Sequence, residues 1–275
     1  LTTRRQRQMC IRDRSLMFQP RNLIVVDENS QVEIIERYQS ITNNNVLVNS
    51  VSEIYVNKKS NVKHYKIQND KKSSSLIDNT FVSQENSSSY NLHTFSFGGD
   101  LTRNNLNIFQ NDQRIESTIN GITIIDDEQH VDHNTLIHHK EPNCTSHQDY
   151  KGIYGGKSVG VFNGRVLVEK EAQKTNAFQA NNNVLISDKA SINTKPQLEI
   201  FADDVRCSHG CTIGQLDNNA LFYLRSRGIP EKEATALMMF GFANKVLTSV
   251  QNQEIKSMIN KIIASKLAVK IGFDL

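Results

Sequence analysis

From about Arg21 to Val205 the chain is a succession of short β-branched or aromatic runs, with almost nothing that reads as an amphipathic helix. "LIVVDENSQVEIIERYQS" holds two apolar runs around a polar turn. "VLVNSVSEIYVNKKSNVKHYKIQND" alternates, with Val51, Ile54 and Val56 and then Val62, Tyr65 and Ile67. Each run is bounded by Asn, Asp, Gly or Ser, the pattern of strands broken by turns. Parallel strands joined by helices need crossover helices, and none are present to supply them. A sandwich, a barrel and a parallel β-helix remain. Asparagine recurs at turns and inside runs ("ITNNNVLVNS", "QANNNVLIS"). Asn tolerates the left-handed backbone that stacked corners require. The chain is mainly β, and the pattern favours a parallel β-helix, with one repeating unit per roughly 20–25 residues, over the sandwich and the barrel. Only four prolines occur, in keeping with paired strands.

The period changes near Gly214. "QLDNNALFYLRSRG" predicts a short helix with Asp217 as N-cap, Leu221 and Leu224 on one face and Gly228 as the stop. Pro230 suits the first turn of a second helix, with Glu231 and Glu233 near its positive end. Ala234, Leu237, Met238, Phe242 and Val246 form its apolar stripe. A third helix carries Ile255, Met258, Ile259, Ile262, Ile263 and Leu267. The organisation expected is a β-helix over residues 21–212 and a helical region over 213–275. Residues 1–20 are expected to be a non-native or disordered leader. "LTTRRQRQMCIRDRS" crowds five arginines together without apolar periodicity, like translated adapter sequence joined to a partial reading frame.

Composition narrows the function. A net charge of +3, concentrated in that leader, gives no case for nucleic acid. No stretch approaches the roughly 20 apolar residues of a membrane helix. The four cysteines, Cys10, Cys144, Cys207 and Cys211, make no disulfide framework, so free thiols in a reducing cytoplasm are expected. "GIYGGKS" departs from a phosphate loop by one residue of spacing and reads as a Gly-rich turn between strands. The segment with His130, His133, His138, His139, Cys144 and His147 has ligand chemistry but no compact metal spacing. It can be a metal site, a polar β-helix surface or an interface.

"RCSHGCTIG" is the sharpest candidate. On an extended strand Cys207 and His209 share a face about 7 Å apart, and Gly210 is expected to break the strand, leaving the side of Cys211 open. Two structural cysteines, ligands for a metal or cluster, and a Cys–His nucleophile all fit the local chemistry.

"QLEIFADDVRCSHGCTIGQLDNNALFYLRSRGIPEKEA" resembles the C-terminal signature of the SufB/SufD family of iron–sulfur cluster assembly scaffolds. So does the preceding "PNCTSHQDYKGIYGGKSVGVFNGRVLVEKEAQKTNAFQANNNVLISDKASINTKPQLEI". The resemblance runs from about Arg21 to Leu275, and "CSHGC" favours the SufD branch over SufB. It implies a mainly β chain: a right-handed parallel β-helix followed by a small C-terminal α-helical region. It also implies a non-catalytic subunit that pairs with a SufB-like paralogue and docks a SufC-like ATPase on its C-terminal helices. Cys207 and His209 would then be ligands, with His209 the more important, to a transient iron–sulfur cluster or its iron at the subunit interface. Family members carry a helical region ahead of the β-helix, so this chain resembles an N-terminally truncated member. A homodimer in the absence of partners is a further expectation. Two other readings stand beside this one. One is a purely structural β-helix. The other is a polysaccharide-active enzyme, for which Asp126, Asp127, Asp203 and Asp204 are the acidic pairs, each splayed to opposite faces of a strand.

Overall fold

The computed structural model describes residues 15–40 and 44–267. In chain order its strands are β1 (Leu16–Phe18), β2 (Arg21–Val26), β3 (Gln31–Tyr38), β4 (Val46–Val56), β5 (Asn61–Gln68), β6 (Ser74–Gln84), β7 (Ser89–Ser96), β8 (Leu101–Gln110), β9 (Glu116–Ile125), β10 (His130–His139), β11 (Thr145–Tyr154), β12 (Val159–Val168), β13 (Asn176–Leu185), β14 (Ser191–Ile200) and β15 (Arg206–Gly214). Three helices follow: α1 (Asn218–Ser226), α2 (Glu231–Leu247) and α3 (Gln253–Lys266). The even strands from β2, with β1, form one parallel sheet; the odd strands from β3 form the other. The chain alternates between the sheets, so each rung of the resulting β-helix is one even and one odd strand. β1 lies in the segment expected as a leader, and it pairs with Val46–Val48.

The rungs are longer than the expected 20–25 residues. Leu101 pairs with His130 and His130 with Val159, a repeat of 29. The excess comes from strands of about ten residues on both sheets. The corners also differ from the asparagine expectation. Between each even strand and the next odd one, from β2 to β13, a single residue takes the left-handed conformation: Asn29, Lys59, Ser87, Arg114, Asn143 and Lys174. Only two are asparagines. The corner selects backbone geometry, and stacking fixes it: the Asn29 amide donates to the Lys58 carbonyl, and the Lys59 amide to that of Asn86. Asn181 and Asn183 of the second asparagine run are instead buried inside β13.

Alternation fills the interior. Ile54, Val82, Leu106, Ile108, Ile119, Ile137 and Phe162 pack together inside the rungs with Tyr90, Leu92 and Tyr150. The second halves of β5 and β9 are instead buried on both faces. Their outward residues Tyr65, Ile67, Ile122 and Ile124, with Phe95 of β7 and Phe97 just beyond it, share one cluster with Met239, Ala243, Val246 and Leu247 of α2 and Ile255, Ile259 and Ile263 of α3. The helical region thus lies on the outer face of the odd sheet. The buried stripe of α2 is Ala234, Ala236, Met239, Ala243, Val246 and Leu247. Leu237, expected inside, is exposed, because the sheet takes the neighbouring face. A polar pin fixes the α2–α3 elbow: His93 Nε2 lies 2.9 Å from Ser249 Oγ, and its ring stacks on Tyr65. Asp217 caps α1 as expected, accepting from the Asn219 amide at 2.8 Å. Gly228 ends α1 at φ +87, where a side chain would clash with its own backbone.

Candidate functional site: a thiol–imidazole–thiol row on the last rung

β15 is the last strand of the odd sheet and pairs on one side only, with β13. Gly210 does not break it. Pairing continues from Arg206↔Asn176 to Gly214↔Val184, with Gly210 opposite Ala180. Side chains alternate along a strand, so Cys207, His209 and Cys211 fall on one face, the question the sequence left open. The register sets them beside Ala177, Gln179 and Asn181. All three neighbours are buried, which marks this as the interior side of the β-helix. The row is reachable because no further rung covers it among the described residues.

The three positions differ. Cys207 packs at the edge of a cluster of Val166, Val168, Ala172, Ala177 and Ala202. Burial pushes its thiol up. His209 is exposed. Cys211 is exposed too, with Sγ 2.7 Å from Thr194 Oγ1 on β14. Beside His209, Gln179 is fully buried, and neither its amide oxygen nor its nitrogen has a partner. Residues two apart on one strand are about 7 Å apart at Cα, so the row spans too far to close around one ion by itself. Among the described residues no group of three or more His, Cys, Asp or Glu is gathered to hold a metal.

The histidine-rich segment separates into individual partners. His130 and His138 face outward from β10, and His138 meets Glu169 at 2.8 Å. His133 and His139 face inward, against Thr123 at 3.0 Å and Ser146 at 2.9 Å. His147 stacks on Phe178. Cys144 follows the left-handed Asn143, the corner position held by Ser60, Ser88 and Thr175 in other rungs. Its thiol donates to the Asp112 carbonyl at 3.1 Å, much as those hydroxyls donate to corner carbonyls. These groups hold the rungs together and converge on no common point. In "GIYGGKS", Gly155 and Gly156 form the turn after β11, as expected, with Gly156 at φ +53. Gly152 lies in β11 itself, where a Cβ would meet the Tyr154 ring.

A feature that sequence reasoning missed is a charged group inside the rungs. Lys66, fully buried, pairs with Asp78 and lies 3.4 Å from Glu36, which is also 3.4 Å from His64. Burial opposes the charge on Glu36, but His64 and Lys66 outweigh it and hold the carboxyl at about 2. The alternation of "NVKHYKIQ" placed Lys66 in line with Val62, and that is the signal that could have found it.

The structure is thus a two-sheeted β-solenoid with helices on one flank and a Cys–His–Cys row on its last rung. The chain belongs to the SUF system FeS cluster assembly family, SufBD core domain, which matches residues 9–242. It is 36% identical to an iron-sulfur cluster assembly SufBD family protein of Synechocystis, over 91% of this chain and 57% of the relative. It is 31% identical to the iron-sulfur cluster assembly protein SufD of Escherichia coli, over 87% and 57%. A chloroplastic protein of Arabidopsis thaliana, ABCI7, is 34% identical over 86% and 50%. The chain therefore spans about half the length of the curated relatives it matches. Among the described residues no helix is long and apolar enough to cross a membrane.

Proposed function

We propose that this chain is a SufD-like, non-catalytic scaffold subunit of a cytoplasmic iron–sulfur cluster assembly complex. The open last rung faces a SufB-like paralogue, and the C-terminal helices dock a SufC-like ATPase. The observation that carries this reading is the position of the Cys–His–Cys row at an end of the β-helix that also exposes apolar surface. Phe201 and Ile213 are 62% and 50% exposed there, and among the described residues β14 and β15 each have a free backbone edge. Such edges invite pairing with another chain. A row that cannot close around a cargo by itself is suited to a site shared between two subunits. His209, with a thiol of the same row, supplies this chain's ligands for transient iron or iron–sulfur species, to which thiolate and neutral imidazole are both suited. The same end can pair with a second copy when the paralogue is absent.

α1 supports the docking half of the reading. It buries no residue and leaves Phe222 72% exposed and Tyr223 57% exposed. ATP binding in the docked subunit would move the helices, and the sheet beneath them, as a rigid body.

His209→Ala in the co-expressed complex tests the reading. Cluster formation, followed anaerobically by its visible absorbance, is expected to fall at least about tenfold while the complex keeps its mass, since the change removes a ligand. A complex that falls apart would assign His209 to packing, and full cluster formation would remove it from the site.

A further inference from the structure

The two thiols of the last rung are not equivalent, and the family resemblance points to only one of them, Cys207. Cys207 lies in a wall of Val166, Val168, Ala172, Ala177 and Ala202, with Leu198 and Val205 against it. Its sulfur is thus part-buried against aliphatic side chains rather than open to solvent. Cys211 stands in solvent two residues beyond His209, on the same face, beside the Thr194 hydroxyl. That hydroxyl can donate to a thiolate sulfur.

An independent observation lies just inside the rung. Gln179, in register with His209, is fully buried, and both polar atoms of its amide lack partners. A Cβ added to Gly164 would run into its Nε2, so the amide projects across the interior toward β12. Asn183, two pairs further along β13 from Asn181, has an unpartnered buried Oδ1 as well. Leaving a buried amide unmatched is costly. That cost is offset when a polar ligand or its water sits over the amide.

We infer that Cys211 and His209 are the ligand pair this chain offers to soft metal or iron–sulfur cargo, that Gln179 is the polar floor beneath them, and that Cys207 is a wall residue. The inference rests on the cluster-site reading above and names the thiol within it. Two protein ligands leave the other coordination positions to water or to a partner chain, in keeping with cargo that is later released.

The full chain with Cys10→Ser, kept anaerobic, is titrated with cadmium(II) alone as the soft-metal probe, and the thiolate-to-metal charge-transfer band is recorded. Cys211→Ser is expected to abolish the band and His209→Ala to weaken binding at least about tenfold, while Cys207→Ser changes it less than about twofold. A second measurement needs no ligand variant: peptide-resolved alkylation should show cadmium protecting Cys211 at least about tenfold more than Cys207. A band that follows Cys207, a band insensitive to both thiols, no band at all, or equal protection would overturn the inference. None of these outcomes touches the scaffold reading, which fails separately if the chain does not enter a complex with its partners.

Discussion

Lys66 and its neighbours set the terms at the residue scale. A lysine sealed inside a β-helix persists because Asp78 and Glu36 both face it. Lys66→Met removes the positive charge and leaves the buried Asp78 carboxylate and the part-buried Glu36 carboxylate without their shared cation, a loss of about 3–5 kcal/mol, measurable by chemical denaturation. The buried histidines make a second prediction. Burial holds the His93 and His133 rings at about 4 and, helped by the neighbouring His138, the His139 ring at about 3. The unfolded chain takes up these protons near pH 6.5, so between 6.5 and about 4 it binds more protons than the folded one. Stability is full above pH 6.5 and falls as the pH drops toward 4. Glu36, held at about 2, adds a lower window: its contribution is present above about 4.5 and lost as the pH falls toward 2. Denaturant midpoints against pH should show both windows, and His133→Gln should flatten the upper one. A midpoint constant from pH 7 to 4 would mean these rings are protonated in place.

The elements show what the sequence makes legible and what it hides. Strand runs such as "YNLHTFSFGGD" were readable because alternation and turn residues mark them directly. The caps of α1 were readable because Asp217 and Gly228 act through local backbone chemistry. The rung length was not, since it depends on where strands stack, a long-range property. Nor was the buried stripe of α2: Leu237 and Met239 are equally apolar, and only the outward ridge of Tyr65, Phe95 and Ile122 decides which is covered. The left-handed corners were half legible. Asn29 and Asn143 announce theirs, whereas Lys59, Arg114 and Lys174 are bent by the rungs around them. In the site, Cys207 and His209 could be singled out from residue type and spacing, but the continuity of β15 through Gly210 is a fact of pairing with β13. The docking of α3 is testable at this scale. Ile259 is fully buried between helix and sheet, and Ile259→Ala should cost about 2–5 kcal/mol. Amide exchange in α2 and α3 should rise well before exchange in the interior of β7 and β9; uniform loosening would mean the helices and rungs fold as one unit.

At the scale of the whole molecule the two ends of the chain's business are set apart by the β-helix. The row of Cys207, His209 and Cys211 lies on the last rung, while α2 and α3 cover the flank formed by β5, β7, β9 and β11. A rigid stack of hydrogen-bonded rungs lies between them, which suits a subunit that holds one partner end-on and another from the side. In the proposed arrangement both partners bind at once. The most direct test is co-expression of this chain with SufB-like and SufC-like proteins, purification through a tag on this chain, and determination of the mass of the eluted species. One species containing all three is expected, and it should come apart when Phe201 and Ile213 on the last rung are both changed to Asp. Elution of the chain alone or as a homodimer, with both partners present and folded, would contradict it.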